Sequence, residues 1–122
     1  MLRNRESKLK GSYDISKTAK IVDSASLDFS GGLTIEDGVR IFEDVLVLTH
    51  SHNLRNMEEV IPKPLLIKKN AIIAARAIIL ESVDYIGENS IIGAGAVVTK
   101  SVPDNQFWAG NPAVYIKNID NS

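Results

Sequence analysis

A rhythm of six residues governs this chain. Ile15, Ile21 and Leu27 stand six apart, and so do Ile35, Ile41 and Val47, then Ile67, Ile73 and Ile79, then Ile86, Ile92 and Val98. Four residues after each mark comes a small or β-branched residue: Ala19, Ala25, Gly31, Val39, Val45, Ser51, Ala71, Ala77, Val83, Ser90, Ala96 and Val102. An amphipathic helix places apolar residues at i, i+3, i+4 and i+7, and simple strand alternation has no reason to reset every six residues. One large and one small inward residue per six instead specifies a coil with short flat sides, the hexapeptide kind of β-helix. The large aliphatic fills the interior, and the small residue sits where the chain turns a corner. Lys17, Thr18, Asp23 and Ser24 fall on outward and corner positions. Gly87, Asn89, Gly93 and Gly95 are expected to supply positive φ at corners.

The rhythm breaks only after Leu27, Val47 and Ile79, where the next mark comes 8, 20 and 7 residues later. Each break follows three hexads. With three hexads to a turn, all the insertions leave from one corner of a stack of four coils. The long excursion, 51–64, carries Pro62 and Pro64, neither of which can donate to a sheet ladder. Four coils at strand spacing make a prism only about 19 Å tall. So thin an object exposes much surface for its volume, and its flat faces and open ends need partners or caps. The division expected is an N-terminal segment 1–14, the β-helix 15–103 with its loop 51–64, and a C-terminal cap 104–122. The cap holds the single Trp and an apolar run from Ala113 to Ile116.

Composition narrows the class. The chain has 122 residues, one domain by length. It is 44% hydrophobic but only 6% aromatic, which suits a narrow, regular core of branched aliphatics. Fourteen Lys and Arg against 15 Asp and Glu give a net charge of −1, so a nucleic-acid partner is not expected. The locally basic start, MLRNRESKLK, reads as a solvated tail. There is no cysteine, which excludes disulfides, cysteine-ligated zinc and a cysteine nucleophile. No apolar run approaches a membrane span and no signal-peptide core is present, so a soluble cytoplasmic protein is expected.

The run from Ile86 to Lys117, IGENSIIGAGAVVTKSVPDNQFWAGNPAVYIK, resembles the C-terminal half of the hexapeptide-repeat acyltransferases, which include the maltose and galactoside O-acetyltransferases. Upstream, GGLTIEDGVRIFEDVLVLTHSHN resembles the same family just before its acceptor loop. The likeness spans roughly residues 15 to 117. It implies an all-β fold, a left-handed parallel β-helix, a hand that the six-residue period does not determine. It also implies a homotrimer with active sites in clefts between subunits, acetyl-CoA as the donor, and a hydroxyl or amino acceptor, often on a sugar.

The chain's two histidines, His50 and His52, stand where the long excursion begins. The family's catalytic histidine ends a rung immediately before this loop, and His50 matches that place. Acetyl transfer from a thioester needs a base for the acceptor's proton, and imidazole suits that role. A thioester is already activated, so direct transfer needs no cysteine. His52, Asn53, Arg55 and Glu58 in the loop offer the hydrogen-bonding groups a polyhydroxylated acceptor needs. By resemblance, Ala94 and Ala96 let the pantetheine arm approach the backbone, Thr99 and Lys100 match positions that contact the cofactor, and Lys117 is a reserve contact for its phosphates. Three places depart from the family: Val114 where Arg or Lys is usual, Ile72 where an aromatic is, and Ala74 where glycine is.

Two other readings compete. One is a non-catalytic β-helix, a structural or binding module, which Val114 and Ile72 favour. The other is a metal-dependent hydratase like the β-helix carbonic anhydrases, but those use three histidines and a catalytic zinc wants three protein ligands. A pair spaced H-x-H needs Glu58 or Glu59 in support, so no metal is expected.

Overall fold

The computed structural model describes residues 3–4 and 11–120. Most of the basic N-terminal run, and with it the reading of a solvated tail, lies outside the described residues. The described chain is strand and turn with no helix.

Short strands, of two or three residues except the five-residue Gln106–Gly110, visit three parallel sheets in rotation. The first sheet stacks Tyr13–Ile15, Leu33–Ile35, Leu65–Ile67 and Tyr85–Ile86, with Val102 bridged to Ile86 above them. The second stacks Lys20–Ile21, Arg40–Ile41, Ile72–Ile73, Ile91–Ile92 and Gln106–Gly110. The third stacks Arg3–Asn4, Ser26–Leu27, Leu46–Val47, Ile78–Ile79 and Val97–Val98. The marks fall into register: Ile35, Ile67 and Ile86 align, as do Ile41, Ile73 and Ile92, and Val47, Ile79 and Val98.

Packing explains why the six-residue period is so strict. From Leu27 onward every large mark is at most 1% exposed. Ala25, Val39, Val45, Ala71, Ala77, Val83, Ser90, Ala96 and Val102 are as deeply buried. Burying a branched aliphatic is worth about 1.5–3 kcal/mol, so a shift by one residue would turn the core outward and forfeit that at every rung. Ile15 and Ile21, in the first round, are only partly buried.

Two corners turn through left-handed residues: Asp44, Arg76 and Gly95 at one, Gly38, Asn70, Asn89 and Asn105 at the other. Asn89 Nδ2 donates to Asn105 Oδ1 at 3.2 Å, one rung above. Asn89 and Gly95 thus have the expected positive φ, but Gly87 and Gly93 do not. Their reason is room. A Cβ on Gly87 would lie 2.4 Å from the Pro103 carbonyl carbon, and one on Gly93 would lie 2.9 Å from the Ala109 Cβ.

The third corner takes all the irregularity, since Leu27, Val47 and Ile79 end strands of the same sheet. The excursion there is an antiparallel hairpin of His50–Asn53 and Asn56–Pro62 rather than an open loop. At the top of the stack, Gln106–Gly110 turns back as the antiparallel strand Ala113–Asn118. Trp108 is 8% exposed, with its Nε1 donating to Gln106 Oε1 at 2.8 Å. Of the apolar run Ala113–Ile116, only Ala113 is buried.

Candidate active site

The hairpin is rooted through Thr49, which is fully buried. Its N–H donates to Asp28 Oδ2 at 2.9 Å, its hydroxyl donates to the Asp28 carbonyl at 2.8 Å, and its carbonyl accepts from Lys63 N at 2.7 Å. Its Oγ1 also accepts from Gly31 N at 3.0 Å. Every polar atom of this buried residue is paired, and the net ties the hairpin to the rung below. Gly31 is there because a Cβ would lie 1.6 Å from the Thr49 carbonyl oxygen.

His50 is the next residue, and its ring turns back onto that rung. Its Nδ1 meets Asp28 Oδ2, with Ser30 Oγ 3.0 Å away. The Asp28 side chain is 5% exposed and that of His50 24%. Burial pushes the Asp28 carboxyl upward, but hydrogen bonds from the Thr49 backbone, the Ser30 side chain and backbone, and His50 outweigh it. The net effect holds the carboxyl below the usual carboxylate range. An ionised carboxylate only accepts, so Nδ1 is assigned the ring proton. Nε2 then keeps its lone pair. In that tautomer Nε2 is the ring atom that can accept a proton.

His52, two residues on, shares this face of the strand. Its ring stands edge-on to His50, with centroids 5.1 Å apart and planes at 86°. Its Nδ1 lies 3.0 Å from the Met57 carbonyl oxygen and donates to it. Asn53 Oδ1 accepts from Arg55 N at 2.9 Å and Asn53 Nδ2 lies 3.4 Å from Glu59 Oε1, so this side chain shapes the turn. The Arg55 and Glu58 side chains are exposed. No group of three or more potential metal-ligating side chains comes together among the described residues.

Thr99 and Lys100 follow Val97–Val98, which aligns with Leu46–Val47 two rungs below. They therefore stand at the corner that carries His50, roughly 10 Å along the stack. The Thr99 carbonyl accepts from Ser82 Oγ at 2.6 Å, and Lys100 Nζ lies 5.9 Å from the Trp108 ring centroid. Ala94 is exposed at the next corner, whereas the Ala96 methyl is in the core. Lys117 stands elsewhere, exposed on the last strand at an open hollow of 470 Å³ that Ile91 and Phe107 also line. Val114 is 52% exposed on the same strand.

The group that orients His50 was not among the residues singled out from the sequence. The 20-residue offset between the first two rounds (Ile15 to Ile35, Leu27 to Val47) sets Ser30 beneath His50, but it sets Asp28 beneath position 48 and so gives no sign of that contact.

The chain is 36% identical over 118 residues to the serine acetyltransferase of Buchnera aphidicola subsp. Schizaphis graminum, taking in 91% of this chain and 42% of that protein. It is 37% identical over 92 residues to the galactoside O-acetyltransferase of Escherichia coli, taking in 72% of this chain and 45% of that one. Among solved structures, a hexapeptide-repeat acetyltransferase of Vibrio cholerae superposes with a TM-score of 0.83 at 27% identity, over 89% of this chain and 64% of that one. The same protein complexed with acetyl coenzyme A gives 0.71 at 27% identity, over 89% of this chain and 66% of that one. The chain spans less than half the length of these two relatives. No protein-family profile matches it.

Proposed function

Because the chain belongs to the hexapeptide-repeat acyltransferase family, we propose that it moves an acetyl group from acetyl-CoA to a hydroxyl of a saccharide or sugar nucleotide, with His50 as general base. The observation that carries this reading is the lock on His50: a buried carboxylate takes Nδ1 and leaves Nε2 bare. Thr99 and Lys100 line up with it at one corner.

The thioester supplies an activated acetyl group. Nε2 takes the acceptor's proton as the acceptor oxygen bonds to the acyl carbon. Asp28 holds the ring and stabilises the imidazolium that results. The ring then returns the proton to the departing sulfur, so proton and charge balance without an acyl-enzyme. Lys100 offers a cation to the donor's phosphates, and the small exposed Ala94 leaves room for its arm. Lys117 is a second cation for the phosphates, in place of the one missing at Val114. His52, Asn53, Arg55 and Glu58 are the acceptor contacts. A hydroxyl acceptor is favoured because the galactoside and serine acetyltransferases are among the relatives.

The same reading takes the stack as the family's left-handed coil of about four turns, at 15–103, capped by 104–122 and assembled as a homotrimer in the cytoplasm. Exposed apolar groups support assembly: Val22 and Phe42 at 36% and 38%, and Leu54 and Met57 on the hairpin at 89% and 58%.

The test is to incubate the protein with acetyl-CoA and a panel of sugars and follow free thiol. Acceptor-dependent release that disappears in His50→Ala, with the variant still folded, supports the proposal. Absence of coenzyme A binding by calorimetry would favour a non-catalytic module.

A further inference from the structure

The hairpin holds a second imidazole that base catalysis does not use. A backbone carbonyl only accepts, so His52 Nδ1, 3.0 Å from the Met57 oxygen, carries the ring proton. Its Nε2 is then a lone pair, as at His50. Neither Nε2 has a hydrogen-bond partner among the described residues. The rings are neighbours on one face, 5.1 Å apart and edge to face. Both tautomers are fixed from behind, one by a carboxylate and one by a peptide oxygen. The result is two neighbouring imidazoles, each with its Nε2 left to accept a hydrogen bond.

A single hydroxyl satisfies one such acceptor. An acceptor molecule with hydroxyls on neighbouring carbons satisfies both: one O–H meets His50 Nε2 and reacts, and the next donates to His52 Nε2. We infer that His52 is a specificity-determining residue, selecting an acceptor whose reacting hydroxyl has a vicinal hydroxyl. This rests on the proposed acetyl transfer and narrows its substrate class to 1,2-diols.

The experiment uses methyl β-galactopyranoside and its single-deoxy derivatives with the full chain and acetyl-CoA. Removing the reacting hydroxyl should abolish transfer. Removing an adjacent one should lower kcat/KM about three- to tenfold, the worth of one neutral hydrogen bond. In His52→Phe, which keeps a ring but no acceptor, the ratio of diol to adjacent-deoxy rates should fall toward one. In His52→Gln, whose carbonyl still accepts, part of the preference should return. Equal losses on both sugars in His52→Phe, or no wild-type preference, would overturn the inference. Binding is read separately by the ¹⁵N shift of His52 Nε2 as each sugar is added without acetyl-CoA. A shift with the diol that weakens with the adjacent-deoxy sugar supports the contact even where no thiol is released, an outcome that counts against the transfer chemistry alone. No shift with any of the sugars overturns the contact, whatever the rates.

Discussion

Asp28 decides what the histidine can do. It is buried, accepts from Thr49 N and Ser30 N, and holds the imidazole by Nδ1. Asp28→Asn keeps the shape but substitutes an amide for the carboxylate that, in the proposed transfer, stabilises the imidazolium. Its kcat should fall about 10²- to 10⁴-fold, the usual worth of a positioned base, in steady-state thiol release. The same carboxyl predicts a pH effect. Its native pKa lies below the usual range, so its contribution to stability is present above the unfolded value. That contribution is lost as pH falls through the native one. Urea midpoints should therefore drop on acidification, and Asp28→Asn should flatten that acid limb. The place of His50, at the break after a third hexad, is legible in the sequence, while its role as base comes from the family resemblance. Asp28 is not legible, because the contact is made by stacking one turn on the next.

The hairpin and the corner beneath it act as one element. Gly31, Thr49 and Lys63 pack backbone to backbone where the excursion leaves the stack. In Gly31→Ala a methyl would enter the Thr49 carbonyl, and the root of the hairpin must open. Thermal unfolding should show a loss on the order of 2 kcal/mol or more, in the range of core overpacking. Transfer should fall as well, since His50 follows Thr49. That an insertion leaves this corner follows from the rhythm of the marks. That it pairs into a hairpin does not: HSHN and NMEEVIP show no alternation of apolar and polar residues, and it is the backbone pairing of His50 with Pro62, Ser51 with Ile61 and His52 with Val60 that forms it. Position-dependent crowding escapes sequence reasoning for the same reason. Gly87 and Gly93 look like turn glycines, but the next rung leaves them no space.

At the scale of the whole molecule, strict stacking brings distant segments to one edge. The third sheet aligns Val47 with Val98, so the residues after each, 48–50 and 99–101, leave it at the same corner, two rungs apart. The repeat makes this much readable from sequence, because three hexads per turn fix which positions share a corner. Val22, Phe42 and Leu54 are exposed apolar side chains, which the proposed trimer would cover. Sedimentation equilibrium should give a particle three times the 13.3 kDa chain. The central claim, that the corner holding His50 is where the acyl donor is presented, is tested most directly by a crystal structure of the protein with coenzyme A. The account predicts the thiol sulfur beside His50 Nε2 and the rest of the molecule running past Thr99 and Lys100. A coenzyme bound at another face, with its sulfur remote from that imidazole, would contradict it.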